Sequence, residues 1–500
     1  MQTSLLGVIT FFFSIMLNIV GLFSCSLLWQ PVLLLSLFNL VAAFHISEPL
    51  SSKAASIGLG QDSALQIFLF LLAFKSLKIA VHLLSYLTYR PQPAEKQPSF
   101  SHRDVTVIVP TVGSFDDEFQ ECIRTILANL PHQIIISTVG KEKFIHAKQV
   151  CRQLDHSGKI IKVVATDTPN KREQTLHALK QVTTPISCTA DDHVFWPTTF
   201  LRSALAPFED VCVGIVGTVK RVRRQRGTST TQSFLNYLGC IYLERHNFEC
   251  TASSNLDGGV FVISGRTALI RTEIVQSFRY RKAYMSETWF FGLLGPLKVD
   301  DDNFITRWMV NRGWKTVFHN DTDAMIETTI GTTGGWFKFQ GQLNRWVRTT
   351  WRSNSTSLLS ERRCWSAHPW TTYAMFISSF VNMALFYDFA LFITLFKSGY
   401  GRYWLHLTAY LFVSKVIKPF PHILRNPRDI VFLIPGILFG YYHSAVKLWA
   451  LLTVWNVQWT GRQGVNNSGI LTPEVDAAAP AVLLFFLIAG AVSYMGIPSN

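Results

Sequence analysis

Two adjacent carboxylates end an apolar, strand-like run in the middle of the chain. The run PISCTADD closes on Asp191 and Asp192, and His193 follows directly. Adjacent carboxylates repel one another unless a cation neutralises them, and their oxygens suit Mg²⁺ or Mn²⁺. A metal held there would bridge to the oxygens of a diphosphate and stabilise its departure. A solvated helix cap is the alternative interpretation of the same residues.

A second acidic cluster, Asp300-Asp301-Asp302, precedes the helical sequence NFITRW. Carboxylates are favoured at the start of a helix by the helix dipole, so capping explains one of the three. Three together indicate a general base, which would take the proton from an acceptor hydroxyl.

Three polar or aromatic side chains follow further along the chain at helical spacing. Arg345 lies three positions after Gln342, and Trp346 lies four positions after it. This spacing places an amide, a guanidinium and an indole on one helix face. The pattern indicates a binding surface. An amphipathic helix at a membrane interface would have the same pattern.

The region from residue 100 onwards alternates strand-like and helical segments. Apolar runs begin about 27 residues apart, and helical compositions separate them, which is typical of an α/β domain with a mostly parallel, doubly wound sheet. Ligands bind beyond the carboxyl ends of such strands, so Thr111 at the end of the first run joins the candidate site. The domain contains no GxGxxG or GxxxxGK[ST] motif. The apolar runs are 104–110, 133–137, 159–167 and 185–192, and the helical segments are 117–130, 141–154 and 171–182.

Lys171 and Arg172 open the helical segment that follows the third apolar run. Two cations at a helix N-terminus are suited to a pyrophosphate, because the helix dipole adds its own partial positive charge. A plain surface position is the alternative for this pair.

Composition places the chain among membrane proteins. Its 500 residues are 48% hydrophobic and only 16% charged, with a formal net charge of +14. Residues 4–45 contain no Asp, Glu, Lys or Arg and would form a helix of about 60 Å, enough for two spans. We expect a multi-pass membrane protein with an inserted α/β domain. The predicted regions are 1–99 with spans 4–25, 27–45 and 65–87; the soluble domain 100–335; interfacial helices 336–368; and 369–500 with spans 371–397, 402–417 and 479–497.

Basic residues beside the predicted spans orient the chain. They include Arg90, Lys96, Arg103, Arg362 and Arg363, and this side is expected to be cytosolic. The expected location is the plasma membrane, with the Golgi or the endoplasmic reticulum as alternatives. Nucleic acid is not an expected partner, because the basic residues form no recognisable binding module. The oligomeric state stays open.

The order of these features resembles the processive, membrane-embedded family-2 glycosyltransferases, which include the hyaluronan, cellulose and chitin synthases and related fungal polysaccharide synthases. The similar segments run from VTVIVPT (105–111) to WTGR (459–462), and QLNRW at 342–346 matches the family's Q-x-x-R-W signature. The segments between them are NKREQ, ADDHVFWP, FVISGRTAL and VDDDNFITRW.

The resemblance implies roles for individual residues. Lys171 and Arg172 would hold the diphosphate of a UDP-sugar donor, and Asp191, Asp192 and His193 would bind Mg²⁺ or Mn²⁺. Asp302, with Asp301 beside it, would be the catalytic base. The remaining residues would contact the substrates: Ser264, Gly265 and Arg266 at the acceptor end of the growing glycan, Gln342, Arg345 and Trp346 around the acceptor and diphosphate, and Trp459 and Arg462 in a gating loop.

The implied activity is inverting polymerisation of a polysaccharide on the cytosolic side, with translocation through the bilayer. The implied gating loop must be cytosolic. The apolar run 429–453 that precedes it is therefore expected to be an interfacial or re-entrant helix and not a complete crossing. One alternative is a non-processive enzyme that glycosylates a lipid, and another is a transporter with a cytosolic domain. The sugar, the linkage and the chain length stay open.

Overall fold

The computed structural model describes residues 60–227, 229–331, 334–457 and 472–494. The predicted spans 4–25 and 27–45 and the predicted gating loop 459–462 lie outside these residues. The chain divides into two compact units, one formed by residues 1–80 with 388–417 and the other by residues 81–387 with 418–500.

The second unit contains a mostly parallel sheet of seven strands in the order β3-β2-β1-β4-β8-β6-β9. The pairs β1–β2, β2–β3, β1–β4 and β6–β9 are parallel, whereas β8 runs antiparallel to β4 and β6. A smaller sheet has the order β5-β10-β7. The strands are β1 Val105–Pro110, β2 Gln133–Val139, β3 Ile161–Thr166, β4 Ile186–Ala190, β5 Val194–Phe195, β6 Val213–Thr218, β7 Lys220–Val222, β8 Thr267–Arg271, β9 Lys315–His319 and β10 Ile326–Thr328.

Helices cover both faces of the large sheet and continue into the apolar segments on either side of the domain. The α-helices are Gln61–Thr88, Asp117–Leu127, Gly140–Leu154, Lys171–Leu179, Phe200–Ala204, Thr230–Asp257, Thr272–Gln276, Phe278–Met285, Asp301–Asn311, Gly335–Ser355, Arg363–Ala367, Pro369–Thr371, Ser378–Val381, Ala384–Lys397, Trp404–Val416, Phe420–Arg425, Leu433–Leu452 and Pro473–Tyr494. Shorter 3₁₀ turns lie at His102–Asp104, Ala206–Glu209, Thr322–Ala324, Gly401–Tyr403 and Pro427–Phe432, and π-helical turns lie at Thr356–Glu361 and Thr372–Ile377.

Strand β1 explains why the sheet needs helices on both faces. All six of its residues are buried. Val105, Val107 and Val109 pack into one apolar cluster, whereas Ile108 packs into the cluster on the opposite face. Alternate side chains of a strand point to opposite faces, so a continuous apolar run is stable only between two covering layers.

Polar side chains join helix Gly335–Ser355 to the helices that follow it in the second unit. Arg348 donates to Asp476 Oδ2 at 2.9 Å and to the Thr453 hydroxyl, and Asn344 Nδ2 donates to the backbone carbonyl of Asp476 at 2.7 Å. These donors are buried, so each needs its partner to offset the loss of water. The network fixes the rotation of the helix that carries Gln342, Arg345 and Trp346.

Two helices in the described residues are long and apolar enough to cross a membrane, Gln61–Thr88 and Pro427–Leu452. A third span is possible if Pro369–Val381 and Ala384–Lys397, which are joined by a bend, count as one. The segment expected to be an interfacial helix, 429–453, therefore also meets the criteria for a span, and its interfacial placement stays a prediction. Helix Trp404–Val416 has 13 residues, about 20 Å, which is shorter than the bilayer core.

The first unit contains a buried cluster of charged side chains between apolar helices. Asp388 accepts hydrogen bonds from Lys75 at 2.6 Å and from Lys415. Carboxylate and ammonium groups are costly in apolar surroundings unless they are paired. The paired geometry accounts for the presence of Lys75 in an otherwise apolar helix.

Candidate active site

Thr111 and the acidic run after β4 meet at the carboxyl ends of two neighbouring parallel strands. The Thr111 hydroxyl donates to Asp192 Oδ2, and Asp192 Oδ1 lies 3.0 Å from His193 Nδ1. A Cβ atom added at Gly113 would lie 3.4 Å from Asp192 Oδ2, so this loop passes close to the carboxylate. Both Asp192 oxygens are thereby oriented at the edge of the sheet where ligands bind.

Lys171 links the two acidic clusters that lie far apart in the sequence. It begins helix Lys171–Leu179, and its Nζ lies 2.9 Å from Asp191 Oδ1 and 3.2 Å from Asp301 Oδ2. Burial alone would lower the pKa of Lys171, but the charges of Asp191 and Asp301 outweigh burial and raise that pKa above its ordinary value. The ammonium is therefore charged, and it lies where the two acidic clusters converge.

Asp302 lies next to this ion-pair cluster. Its Oδ2 accepts the Gly265 N–H at 3.2 Å, and its Oδ1 accepts the N–H of Asn303 at 2.9 Å. Burial raises the pKa of Asp302 above its usual range and the Asp301 charge adds to this increase, whereas Lys171 opposes it. A carboxylate whose pKa is raised is a stronger base than an exposed one, as a proton-abstracting group requires.

Gly265 lies where the Lys171 and Asp302 segments approach each other closely. A Cβ atom at this position would lie 3.3 Å from Lys171 Nζ and 3.4 Å from Asp302 Cβ. Lys171, Gly265, Asp301 and Asp302 line one pocket, whose apolar wall includes Ile263. A larger residue at position 265 would push either the cation or the base out of place.

An aromatic pair adjoins the acidic site. The Trp346 ring stacks on Tyr242 with centroids 5.0 Å apart and planes 27° apart, and the Arg266 guanidinium lies 5.5 Å from the Trp346 ring. The Ser264 hydroxyl is 3.4 Å from Arg266 Nη1. Arg266 also accepts the Asp191 N–H on its backbone carbonyl at 2.9 Å. An exposed aromatic face with an adjacent cation suits a ligand that has both an apolar C–H face and hydroxyl groups, such as a sugar ring.

Helix Gly335–Ser355 has two faces with different surroundings. Gln342, Arg345 and Trp346 are half-buried, whereas Asn344 and Arg348 are buried and bonded to Asp476. Gln342, Arg345 and Trp346 thus lie on one helix at the predicted spacing, and their shared role in binding stays a prediction. Asn344 and Arg348 have contacts with the scaffold.

Arg172 differs from the prediction made for it. Its side chain is fully buried, pairs with Glu287 and donates to the backbone carbonyls of Tyr284 and Val299 at 2.6 Å each. Successive residues on a helix point about 100° apart, so Lys171 and Arg172 do not share a direction. The structure gives Arg172 contacts with the scaffold, and of the two cations only Lys171 lines the pocket with Asp301 and Asp302.

Asp300, the first acid of its run, is also a scaffold residue. It has left-handed backbone geometry (φ 63°) and bonds Arg352 Nε at 2.7 Å and the Thr349 hydroxyl. Burial alone would raise the pKa of Asp300, but Arg352 outweighs burial and holds that pKa below its usual range. Asp300 thus attaches the start of the Asp302 helix to helix Gly335–Ser355.

The metal prediction rests on two carboxylates. No group of three His, Cys, Asp or Glu side chains is arranged to hold an ion within the described ranges. Mg²⁺ commonly takes only one or two carboxylates and completes its coordination with substrate phosphates and water. Asp191 and Asp192 fit that mode of binding. His193 Nδ1 contacts Asp192, and a role for His193 as a metal ligand stays a prediction.

Two residues of the site region, Tyr242 and Glu287, were not found from the sequence. Tyr242 lies within helix Thr230–Asp257, and only the fold brings its ring against Trp346. Glu287 pairs with both Arg172 and Arg307. No motif marks either residue; the roles of Tyr242, Glu287 and Asp300 depend on contacts between segments distant in sequence. Trp459 and Arg462, in contrast, lie outside the described residues.

A profile described as "Glycosyltransferase like family 2" matches residues 102–349. A "Type 2 glycosyltransferase" of Pyricularia oryzae is 38% identical over 77% of this chain and 79% of its own length. The chain belongs to the family 2 glycosyltransferases. Another type 2 glycosyltransferase, from Gibberella zeae, is 36% identical over 87% of this chain and 83% of its own. A hyaluronan synthase of Streptococcus pyogenes is 23% identical over 72% of this chain and 84% of its own.

The predicted enzyme class is confirmed by these relatives, and the glycosyltransferase has the GT-A-like, mostly parallel sheet expected of its family. The matched segment contains Thr111, Lys171, Asp191, Asp302 and Trp346. Similarity to hyaluronan synthase is more distant than similarity to the fungal enzymes. Processive polysaccharide synthesis by this glycosyltransferase stays a prediction.

Proposed function

We propose that this glycosyltransferase extends a polysaccharide by inverting transfer from a UDP-sugar, with the acceptor chain leaving through the membrane. Family membership supports a nucleotide-sugar donor. The observation that carries the proposal is the geometry around Asp302, a half-buried carboxylate of raised pKa that lines one pocket with Lys171 and Asp301, near the Tyr242–Trp346 stack.

Lys171 would receive the donor diphosphate. The ammonium supplies a fixed positive charge, and the helix N-terminus behind it adds a partial one. Asp191 and Asp192 would hold Mg²⁺ or Mn²⁺, which when bound neutralises the diphosphate and favours its departure. Thr111 and His193 would keep the Asp192 carboxylate in place for this role.

Asp302 would remove the proton from an acceptor hydroxyl as that oxygen attacks the anomeric carbon. Attack from the face opposite the leaving diphosphate inverts the configuration at that carbon. Gly265 supports the geometry, because its N–H fixes Asp302 Oδ2 and its missing side chain leaves room for Lys171. The charge of Asp301 raises the pKa of Asp302, which increases its basicity.

Trp346 and Tyr242 would bind the end of the acceptor glycan. Their stacked rings offer an apolar face, while Arg266, Gln342 and Arg345 supply polar contacts at its border. Apolar helices long enough to span a bilayer support membrane association. We place the enzyme in the plasma membrane with its site facing the cytosol, where nucleotide sugars are made.

The test is direct measurement of transfer. Purified protein in lipid nanodiscs is incubated with a panel of radiolabelled nucleotide sugars and Mn²⁺ or Mg²⁺, and both released nucleotide and product size are measured. Release of UDP with products that lengthen over time supports the proposal. Release without long products, accompanied by one sugar added to extracted lipid, would overturn polymerisation. Absence of release with every donor would overturn transfer itself.

A further inference from the structure

A solvent-exposed hairpin lies between the helix Phe278–Met285 and the start of the Asp302 helix. We name residues 278–298 the apolar-basic surface. Phe291 is 85% exposed, Leu293 79% and Phe278 71%, and Phe290 and Met285 are also exposed. Large apolar side chains are scattered singly over most soluble surfaces, so a cluster within one segment indicates an interaction site.

The backbone holds these rings outward in an uncommon conformation. Phe290 and Phe291 have φ values of 50° and 57°, a left-handed geometry that bulky residues rarely adopt. Backbone hydrogen bonds of 2.7 and 3.2 Å between Trp289 and Leu294 close the hairpin around them. The tip is therefore a defined structure whose apolar groups are directed into solvent.

The charges of the apolar-basic surface have one sign. Arg279, Lys282 and Lys298 are exposed. The single acidic residue of the segment, Glu287, is buried in ion pairs with Arg172 and Arg307. The outward surface is therefore apolar and cationic. That combination matches the acyl region and the anionic phosphates of a lipid leaflet.

The base of the hairpin is continuous with a candidate membrane span. Trp289 Nε1 donates to the Ser355 hydroxyl at 3.0 Å, and the Trp289 ring packs against the apolar cluster that contains Trp351, Val446 and Ala450. Val446 and Ala450 lie in the last two turns of helix Leu433–Leu452, near the end of the candidate span Pro427–Leu452. The end of a span lies at a membrane surface.

We propose that the apolar-basic surface docks on the anionic leaflet of the membrane that holds the chain, with Phe290, Phe291 and Leu293 inserted at the boundary between headgroups and acyl chains. Arg279, Lys282 and Lys298 lie at the lipid phosphates. The proposal does not rest on the proposed function, since it requires neither donor nor acceptor.

Site-specific fluorescence quenching tests the docking in the full-length protein. Cys212 is the one exposed cysteine among the described residues. A Cys25→Ser/Cys212→Ser protein therefore receives Phe291→Cys or, separately, Leu293→Cys, and each is labelled with an environment-sensitive dye. The control is the Cys25→Ser protein labelled at its native Cys212. All are placed in nanodiscs of phosphatidylcholine and phosphatidylserine, with or without lipids that carry a spin label on the acyl chain.

Docking predicts at least twofold stronger quenching at positions 291 and 293 than at position 212. It also predicts that the difference decreases in phosphatidylcholine alone and in the Arg279→Glu/Lys282→Glu variant. Equal quenching at positions 291, 293 and 212 would overturn the proposal. A dye that is shielded from water without being quenched by the labelled lipids would also overturn it, because the surface would then be covered by protein or by glycan. Each labelled variant loses one apolar side chain of the surface. Because positions 291 and 293 are labelled in separate proteins, the result does not depend on the loss of either side chain alone.

Discussion

Two groups of charged residues surround the site, and they alternate along the chain. Lys171, Asp191 and Asp302 form the first group, which lines the site pocket or contacts the side chains that line it. Arg172 and Asp300 belong to the second group, although each lies within two residues of a member of the first. The second group is paired within the scaffold, Arg172 with Glu287 and Asp300 with Arg352.

The difference shows how one short segment serves chemistry and stability together. At a helix start, neighbouring side chains point in different directions, so one can face the pocket while the next enters the core. In the site group, the pKa of Asp302 is raised by burial and by the charge of Asp301, whereas in the scaffold group Arg352 holds the pKa of Asp300 below its usual range. Substitutions in the two groups should therefore separate activity from folding.

The largest expected effect on activity is that of Asp302→Asn. If Asp302 is the base, kcat falls by about 10²- to 10⁴-fold. The thermal midpoint should stay the same or rise slightly, because burial and Asp301 already disfavour the Asp302 charge. Nucleotide release and circular dichroism on heating measure the two effects. Unchanged kcat in a folded Asp302→Asn protein would show that another group takes the proton.

The opposite pattern is expected of the scaffold pair. Arg352→Met leaves Asp300 buried without its guanidinium, which costs about 3–5 kcal/mol in the free energy of unfolding. The double variant Asp300→Asn/Arg352→Met should recover part of the loss, because it removes the unpaired charge. Denaturant unfolding in detergent measures both. A single variant as stable as the parent would contradict the scaffold role of Asp300.

Adjacent cations provide a matched comparison. Lys171→Met should raise the donor KM roughly 10- to 100-fold, as expected for loss of a hydrogen bond to a charged group. The loss of folding stability should be smaller than for Arg172→Met, because Lys171, Asp191 and Asp301 keep more contact with solvent than Arg172 and Glu287 do. Arg172→Met should lower the free energy of unfolding by about 3–5 kcal/mol, since it leaves buried Glu287 with only Arg307 and a reduced network. If both changes raised the donor KM equally, Arg172 would have to be assigned to donor binding as well.

The site group and the scaffold group should also differ in the pH range over which their contributions are lost. Asp302 must be ionised to act as base, so kcat decreases as pH falls through its raised pKa. Asp300 has a lowered pKa, so its stabilising contribution is complete above the ordinary Asp range and is lost only as pH falls through the lower folded value. Activity should therefore decline at a higher pH than folding does. If kcat and helical ellipticity were lost over the same pH range, the distinction between the site group and the scaffold group would be contradicted.

The smallest expected effect concerns the aromatic stack. Tyr242→Ala removes a stacking partner of Trp346, a contact valued at about 0.5–1.5 kcal/mol, so acceptor KM should rise by up to roughly tenfold. Tyr242→Phe keeps the ring and serves as the matched control. If Tyr242→Phe raises the acceptor KM as much as Tyr242→Ala does, the loss of the hydroxyl and not the loss of stacking causes the increase.

The sequence was informative wherever a local pattern carried the information. The apolar runs predicted strands β1 to β4, and their parallel order followed from the helical segments between them. The candidate base and the face of Gln342, Arg345 and Trp346 depended on adjacency or helical spacing, which the fold preserves. The different surroundings of Lys171 and Arg172 were not predictable, because both residues have the same charge and neither spacing nor composition says which one meets Glu287.

The exposure of the apolar-basic surface also could not be predicted from the local sequence. The sequence WFFGLLG reads as an ordinary apolar segment, and its exposure follows only from the hairpin geometry and from the anchoring of Trp289 beside Ser355. Local sequence cannot indicate whether an apolar run is covered, because coverage depends on segments that lie elsewhere in the chain.

For this glycosyltransferase, the sequence by itself determined the chemistry available: two acidic clusters, a cation at a helix start, an amide-guanidinium-indole face and apolar segments for a membrane. Those follow from residue type and from the fixed periods of helix and strand. Only the tertiary structure decided which charges lie at the pocket and which are paired inside the scaffold. The reason is that burial and pairing raise or lower the pKa of a carboxylate through contacts with distant segments, and such contacts leave no mark in the local pattern.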